Sequence, residues 1–214
     1  SLDVRHVSRH STPLPRGRKS PSSGLFRVKV YSDKGMPSNA GRGLFAKAFT
    51  DRFPLLPVEE EGRLNDPGLR ENFIEQVFTL KRWREMLAEA NTRGGLVKFH
   101  ERHKYLLMSH SIPHYRELGR IVADMKGRRL PQIQAEYHEK MMEALRLRAT
   151  RRKHVNVLQH LAGYFKKQLD ADEKQELQET IATYAQGLFP LIVPVTLINH
   201  YIRKYQEPYL GQQV

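Results

Sequence analysis

The stretch NDPGLRENFIEQVFTLKRWREML, residues 65–87, decides the fold class, because its apolar residues recur at the spacing of an α-helix. Asp66 followed by Pro67 is a helix-start signal, with the aspartate as cap and the proline in the first turn. From Phe73 to Leu87, apolar side chains return every three or four residues and therefore share one helical face. The segment predicts a helix that starts at Pro67 and buries one side.

The same spacing continues to the C-terminus and predicts an all-α helical bundle. We expect six or seven helices after Pro67 and no strand after residue 60. The fold class is thus mainly α with a short N-terminal α/β remnant, and the expected domains are 1–66 and 67–214. The later helices are expected at about 96–110, from Pro113, from Pro131, and at about 152–168, 172–186 and 191–205, with TRGG at 92–95 as a break.

The first 66 residues have a different composition. Residues 1–24 hold several prolines and glycines and little apolar material, which predicts an irregular, mobile segment. Residues 25–31 alternate apolar and basic side chains and predict a strand, SDKGMPSNAGRG predicts a loop, and residues 44–53 predict a short helix. No apolar run reaches the ~20 residues of a membrane span, and no signal-peptide core is present. We therefore expect a cytoplasmic protein without a membrane partner.

The charge balance favours an anionic partner. The chain has 36 Lys and Arg against 23 Asp and Glu, a formal net charge of +13. Such a surplus is typical of proteins that bind a polyanion, nucleic acid before membrane, although a merely basic protein is the alternative. The sequence contains no cysteine, which excludes disulfides and thiolate metal sites supplied by this chain.

The densest run of cations is LRLRATRRKHVNVLQHLAGYFKKQL, residues 145–169, which contains no acidic residue. Neighbouring cations repel one another, so this run favours an anion-binding face over a merely solvated one. Arg and Lys suit phosphates, whereas Asn, His and Tyr suit base edges, sugars or stacking. The predicted nucleic-acid contacts from this run are Arg146, Arg148, Arg151, Arg152, Lys153, His154, Asn156, His160, Tyr164, Lys166 and Lys167.

A second candidate stretch is GLVKFHERHKYLLMSHS, residues 95–111, in which three histidines can share a helical face. The spacing of a zinc-protease motif is absent and no carboxylate completes an obvious ligand set, so we predict no metal site. We instead expect structural or anion-contacting histidines, and assign His100, His103 and Lys104 to the nucleic-acid surface. The glutamates at 59–61 predict a salt-bridged connector rather than an acid–base pair.

Two parts of the chain resemble known families. Residues from about 90 to the end resemble the YbgA-like family through LVKFHERHKYLLMSHS, YRELGRIVAD, KHVNVLQHLAGYFKK and PLIVPVTLINHYIRKY, in the expected order. Residues 19–78 resemble the C-terminal part of the thiouracil desulfidase family through KSPSSGLFRVKVY, GLFAKAF and FPLLPVEEEGRLNDPGLRENFIEQVF. The resemblance implies, for the intact family, a four-iron four-sulfur enzyme that removes sulfur from thiolated uracil, joined to a domain that binds thiolated tRNA.

The sequence departs from the desulfidase pattern at its cluster ligands. Ser23 stands where the family has a cluster cysteine, and the other cluster cysteines belong to an upstream portion that this sequence does not contain. Because a serine hydroxyl is a poor iron ligand, no cofactor is expected from this chain alone. Ser20 matches a family serine implied to act in desulfuration and is carried over as the catalytic candidate. Residues 1–18 are interpreted as a degraded or truncated N-terminal domain.

Three readings follow. The first is an RNA-binding module for tRNA, including thiolated tRNA, attached to a desulfidase-like segment without its cluster. The second is part of an iron–sulfur tRNA desulfidase whose cluster ligands are missing, mutated or supplied in trans. The third is a protein-interaction module. The expected partners are accordingly tRNA, and a desulfidase domain or a second copy of the chain.

Overall fold

The computed structural model describes residues 22–31 and 36–214, and the mainly α fold is confirmed there. This part of the chain forms nine α-helices, the predicted short helix at the N-terminal side and eight from Pro67 on instead of the expected six or seven, and none of the nine has the length and hydropathy that a membrane span requires. The elements are β1 Val28–Tyr31, β2 Pro37–Gly41, α1 Leu44–Arg52, α2 Pro67–Glu89, α3 Arg93–Arg102, α4 Lys104–His110, α5 Ile112–Ala123, α6 Leu130–Arg146, α7 Arg151–Ala162, α8 Ala171–Gln186 and α9 Ile192–Lys204.

The chain divides into two compact units, one ending at Phe73 and one beginning at Ile74. In the first unit, β1 and β2 pair antiparallel, with Val28 opposite Gly41 and Tyr31 opposite Pro37. The strand expected at 25–31 is confirmed, but the loop expected after it was wrong at Pro37–Gly41. A paired edge strand needs only backbone hydrogen bonds, and its first position tolerates proline, so turn-forming residues can occupy it. The assignment of domains to 1–66 and 67–214 stays a prediction.

The start of α1 holds the backbone of residues 22–24, the described part of KSPSSG at 19–24, which we call the serine-rich loop. The Ser22 carbonyl accepts the N–H groups of Phe45 (3.0 Å) and Ala46 (3.3 Å), and Gly43 donates its N–H to the Gly24 carbonyl (2.7 Å). A Cβ at Gly43 would lie 2.3 Å from the Ser22 oxygen, so only glycine allows this approach. The loop thus sits against a helix N-terminus through its main chain.

The predicted helix start at Pro67 is confirmed. Asp66 caps it by accepting the N–H of Leu69 on Oδ1 at 2.9 Å. The single helix expected at about 96–110 was wrong, because the chain turns at His103 between α3 and α4. The break expected at 92–95 lies slightly earlier, at 90–92 between α2 and α3, and Thr92 caps α3 by accepting the N–H of Gly95 on its hydroxyl at 2.9 Å.

Helix α7 is the element on which the rest of the second unit is arranged, since it packs against α4, α8 and α9. Its Val157, Leu158 and Ala162 are buried, and Phe165, in the 3₁₀ turn that follows, is fully buried. Val155 and Leu161 are partly buried against the same core, and the other positions of α7 carry its cations, histidines and amides. The buried face therefore fixes α7 and leaves its polar face toward solvent.

Gly187 ends α8 in a left-handed conformation, with φ 86°, directly against Arg151 at the start of α7. We predict that Gly187→Ala lowers the free energy of unfolding by about 1 kcal/mol or more, because the added Cβ is strained at this φ and lies 2.7 Å from an Arg151 Nη atom. Urea unfolding monitored by circular dichroism measures the change.

Two glycines serve as controls. Gly163 has φ −59° and open space around its Cβ position, so Gly163→Ala should leave stability unchanged or raise it. Gly127 has φ 77° and no neighbour within 4 Å, so Gly127→Ala isolates the backbone strain. Equal losses at Gly187 and Gly127 would show that the contact with Arg151 contributes nothing.

Candidate nucleic-acid interface

Four cations gather where α6 ends and α7 begins. Arg148, Arg151 and Arg152 are exposed and Lys153 is half-buried. We call these four residues the basic cap. The ion pairs found in the described part of the chain involve other side chains than Arg151, Arg152 and Lys153. The guanidinium groups of Arg151 and Arg152 therefore lie at the surface, and no carboxylate of residues 22–31 or 36–214 forms an ion pair with them.

Two side chains hold the link between α6 and α7, the half-buried Lys153 and the fully buried His110. Lys153 Nζ donates to the carbonyls of His110 (2.6 Å) and Arg148 (3.0 Å). His110 is fully buried, and its Nδ1 donates to the Leu147 carbonyl at 2.7 Å while its Nε2 lies 3.1 Å from Glu75 Oε2. These contacts fix the backbone that presents the basic cap.

The end of α8 positions the other side of the basic cap. The Arg151 guanidinium lies 6.0 Å from the centre of the Tyr184 ring, and the Tyr184 hydroxyl meets His154 Nδ1 at 2.6 Å. Burial lowers the pKa of His154, so this imidazole stays neutral at pH 7 and works as a hydrogen-bonding group.

The N-terminus of α7 adds to the positive potential of the basic cap. Thr150 is the N-cap residue but its side chain makes no capping hydrogen bond, and the first turn contains no acidic residue. The partial positive charge of a helix N-terminus favours anions and disfavours cations. The three consecutive cations at 151–153 therefore repel one another and the helix N-terminus, which lowers the stability of the folded protein. A bound anion would reduce this repulsion.

The predicted contact residues were expected to line one surface, but in the structure they lie in separate groups. Lys166 and Lys167 are exposed but lie beyond the far end of α7, and Arg152 and Tyr164 are about 18 Å apart along it at 1.5 Å per residue. Arg146 faces Glu143, whose pKa is lowered mainly by its hydrogen bond with Lys140 and further by Arg146.

Two predicted contact residues are turned inward. His103 is 2 % exposed and Asn156 has an enclosed side-chain nitrogen, so neither the His103 ring nor the Asn156 amide nitrogen can line a surface. His103 Nδ1 donates to the Phe99 carbonyl at 2.7 Å, which satisfies one side of its ring. His160, by contrast, is exposed on α7.

A second group forms around the predicted residues His100, Lys104 and Tyr164. His100 stacks on Tyr115, with ring centres 5.2 Å apart and planes 5° apart, and Tyr164 stacks on Tyr209 at 5.6 Å and 14°. Lys104 Nζ lies 5.1 Å from the Tyr105 ring centre and 5.9 Å from that of Tyr209. We call the four aromatic residues, Tyr105, Tyr115, Tyr164 and Tyr209, the tyrosine cluster.

The sequence did not predict that Tyr115 and Tyr209 contact this group, because they come from distant parts of the chain. Tyr209 follows α9 and is brought to Tyr164 by a C-terminal segment that is held to the end of α3. Val214 donates its N–H to the Arg102 carbonyl at 3.1 Å, and Arg102 Nε donates to the Gln212 carbonyl at 3.3 Å. The one sequence signal was the number of tyrosines near the C-terminus, which spacing cannot place.

The serine-rich loop does not fit an iron–sulfur cluster. Glu60 Oε1 accepts the N–H groups of Leu25 (3.0 Å) and Phe26 (2.9 Å). The backbone donors directly after the serine-rich loop are therefore bound by a carboxylate. Ser23 offers only a hydroxyl, and the described residues contain no group of three or more His, Asp or Glu that could hold a metal ion. Ser20, the catalytic candidate, lies outside the described residues.

These features describe a mainly α protein with cations at the start of α7 and tyrosine rings near its end. A family model described as "Protein of unknown function (DUF1722)" matches residues 104–214. The chain is 34% identical over 139 residues to "Uncharacterized protein YbgA" of Escherichia coli (strain K12), covering 64% of this chain and 82% of that protein. The chain belongs to the DUF1722 family, which confirms the YbgA-like resemblance. No solved structure matches it, and the desulfidase resemblance stays a prediction.

We predict that the free energy of unfolding falls as the pH drops from about 6.5 to about 4. Burial lowers the pKa of His100 and of His103 to about 4 in the folded protein, whereas both titrate near 6.5 when unfolded. Between these values the unfolded chain binds more protons, so acid favours unfolding and stability returns as the pH rises. The contribution is on the order of 2 kcal/mol per histidine.

Urea unfolding at pH 7 and pH 4.5 measures this loss. His103→Gln should lose less stability between the two pH values than the unmodified protein, because it removes one protonation site. His160→Gln, at an exposed position of α7, should lose as much as the unmodified protein. A His103→Gln protein with an undiminished acid loss would contradict the assignment.

Proposed function

We propose that this protein binds RNA through the basic cap, with tRNA as the expected ligand. Thiolated tRNA is the form that the desulfidase resemblance of the N-terminal segment implies. The observation that carries the proposal is the group of exposed guanidinium groups at the start of α7, where Arg151 and Arg152 have no carboxylate partner within the described residues.

The chemistry of the basic cap suits phosphate groups. Arginine presents a planar fork of N–H donors that matches phosphate oxygens, and the start of α7 adds backbone N–H groups. Lys166 and Lys167 lie beyond the other end of α7, so a ligand that contacts both them and the basic cap has to be extended. A polynucleotide backbone repeats its charge over this distance.

The proposed contacts would position an RNA on the protein rather than recognise its base sequence. Contacts between cations and phosphates fix where a nucleic acid lies but do not read its bases. The half-buried His154, held by Tyr184, borders the basic cap and offers a neutral imidazole to a sugar or base. Catalytic desulfuration is not part of this proposal, because the residues present do not fit the cluster, and the cytoplasmic location stays a prediction.

We predict that Arg148→Glu with Arg152→Glu weakens tRNA binding at least about tenfold. The double variant should also reduce the slope of log affinity against log salt concentration by about two, since each phosphate contact releases counterions. Fluorescence anisotropy of labelled tRNA, titrated at several salt concentrations, gives both quantities.

The matched control is Lys126→Glu with Arg129→Glu, which changes the net charge equally. Both residues are exposed before α6, and α6 places them about 25 Å from the basic cap at 1.5 Å per residue. This control should keep the slope of the unmodified protein. Equal losses in both double variants would mean that net charge, and not the basic cap, attracts RNA.

A further inference from the structure

The tyrosine cluster brings aromatic rings to the surface against a buried one, Tyr105, which is 5% exposed, and the basic cap does not explain it. Tyr164 is 38% exposed, and Tyr115 and Tyr209 are half-buried and pack against the core of the second unit. The next residue after Tyr164, Phe165, is fully buried and fixes the 3₁₀ turn that carries it. Ordered aromatic rings at a surface bind a flat ligand with little loss of conformational entropy.

The rings of the tyrosine cluster are held by stacking. Tyr164 stacks on Tyr209, with ring centres 5.6 Å and planes 14° apart, and Tyr115 stacks on His100 with centres 5.2 Å apart. Burial raises the pKa of Tyr105 and Tyr115, and it raises the pKa of Tyr209 to about 12. The hydroxyls of Tyr105, Tyr115 and Tyr209 therefore remain protonated at pH 7 and add no negative charge beside Lys104.

A cation stands beside this surface. Lys104 Nζ lies near the rings of Tyr105 and Tyr209, and within the described residues its nitrogen belongs to no ion pair. An aromatic face next to an ammonium group is suited to a ligand that is flat and apolar on one part and anionic on another. An unpaired nucleotide, with its base and its phosphate, has this pattern.

We infer that the tyrosine cluster stacks an unpaired base of the bound RNA while Lys104 contacts the adjacent phosphate. This inference rests on the proposed RNA binding and names the class of RNA, one with single-stranded nucleotides. A strand lying along α7 from the basic cap passes the exposed His160 and reaches Tyr164 after about 18 Å. Base-paired RNA cannot offer a base face to a tyrosine ring, because its bases are stacked on each other.

The test uses an RNA hairpin with 2-aminopurine in its loop and a fully paired duplex of the same length. Binding of the hairpin should change the 2-aminopurine fluorescence. Tyr164→Ala should abolish this change and weaken hairpin binding roughly tenfold, because one stacked base is lost. Tyr164→Phe keeps the ring and should retain both the fluorescence change and the affinity. The duplex should bind the unmodified protein and Tyr164→Ala equally.

Binding measured at several salt concentrations distinguishes the contribution of charge from the contribution of base stacking. Tyr164→Ala should leave the salt dependence unchanged, whereas Lys104→Gln should reduce its slope by about one and Lys104→Arg should not. Circular dichroism of each variant confirms that it is folded. If the hairpin binds with full salt dependence and Tyr164→Ala has no effect, the inference is overturned while the proposed function stands. If neither RNA binds with a salt dependence, the proposed function fails.

Discussion

The ammonium group of Lys153 and the imidazole of His110 hold the link between α6 and α7, and the surfaces described above depend on this link. Lys153 donates to two main-chain carbonyls and His110 to a third, at 2.6, 3.0 and 2.7 Å. Unpaired carbonyls at the end of a helix are costly when they are enclosed. By satisfying them, the two side chains set where α7 begins and so which residues form its first turn.

A first turn made of three cations is unfavourable by itself, and the fold accepts it because packing along α7 compensates. Val157, Leu158 and Ala162 are buried along the helix, and Arg151 rests against Tyr184 at the end of α8. Burial of apolar area acts at all salt concentrations, whereas repulsion between exposed cations is screened. The core can therefore hold an electrostatically costly surface in place, as a binding site for an anion requires.

The sequence predicted those features that depend on local spacing and failed where distant residues decide. The start of α2 followed from Asp66 and Pro67, and the basic run at 145–169 was recognised from its composition. The turn at His103 was missed, because the apolar spacing of 96–110 continues across it and only packing divides α3 from α4. His103 was expected at a surface, yet the turn directs its ring to the Phe99 carbonyl and into the core. Tyr164 and Tyr209 are far apart in sequence, and no periodicity connects them.

The two surfaces along α7 differ in what they can distinguish. In the proposed complex the contribution of the basic cap would depend on salt and not on base sequence, whereas a tyrosine ring would stack on a base that is free of its partner. At physiological ionic strength phosphate contacts lose much of their strength, so the balance moves toward stacking. A chain that carries the basic cap and the tyrosine cluster, separated by one helix of fixed length, would hold an RNA by its phosphate backbone. It would distinguish one RNA from another by their unpaired nucleotides. Helix α7 acts as the spacer, because its buried face leaves no freedom to change the distance between the two surfaces.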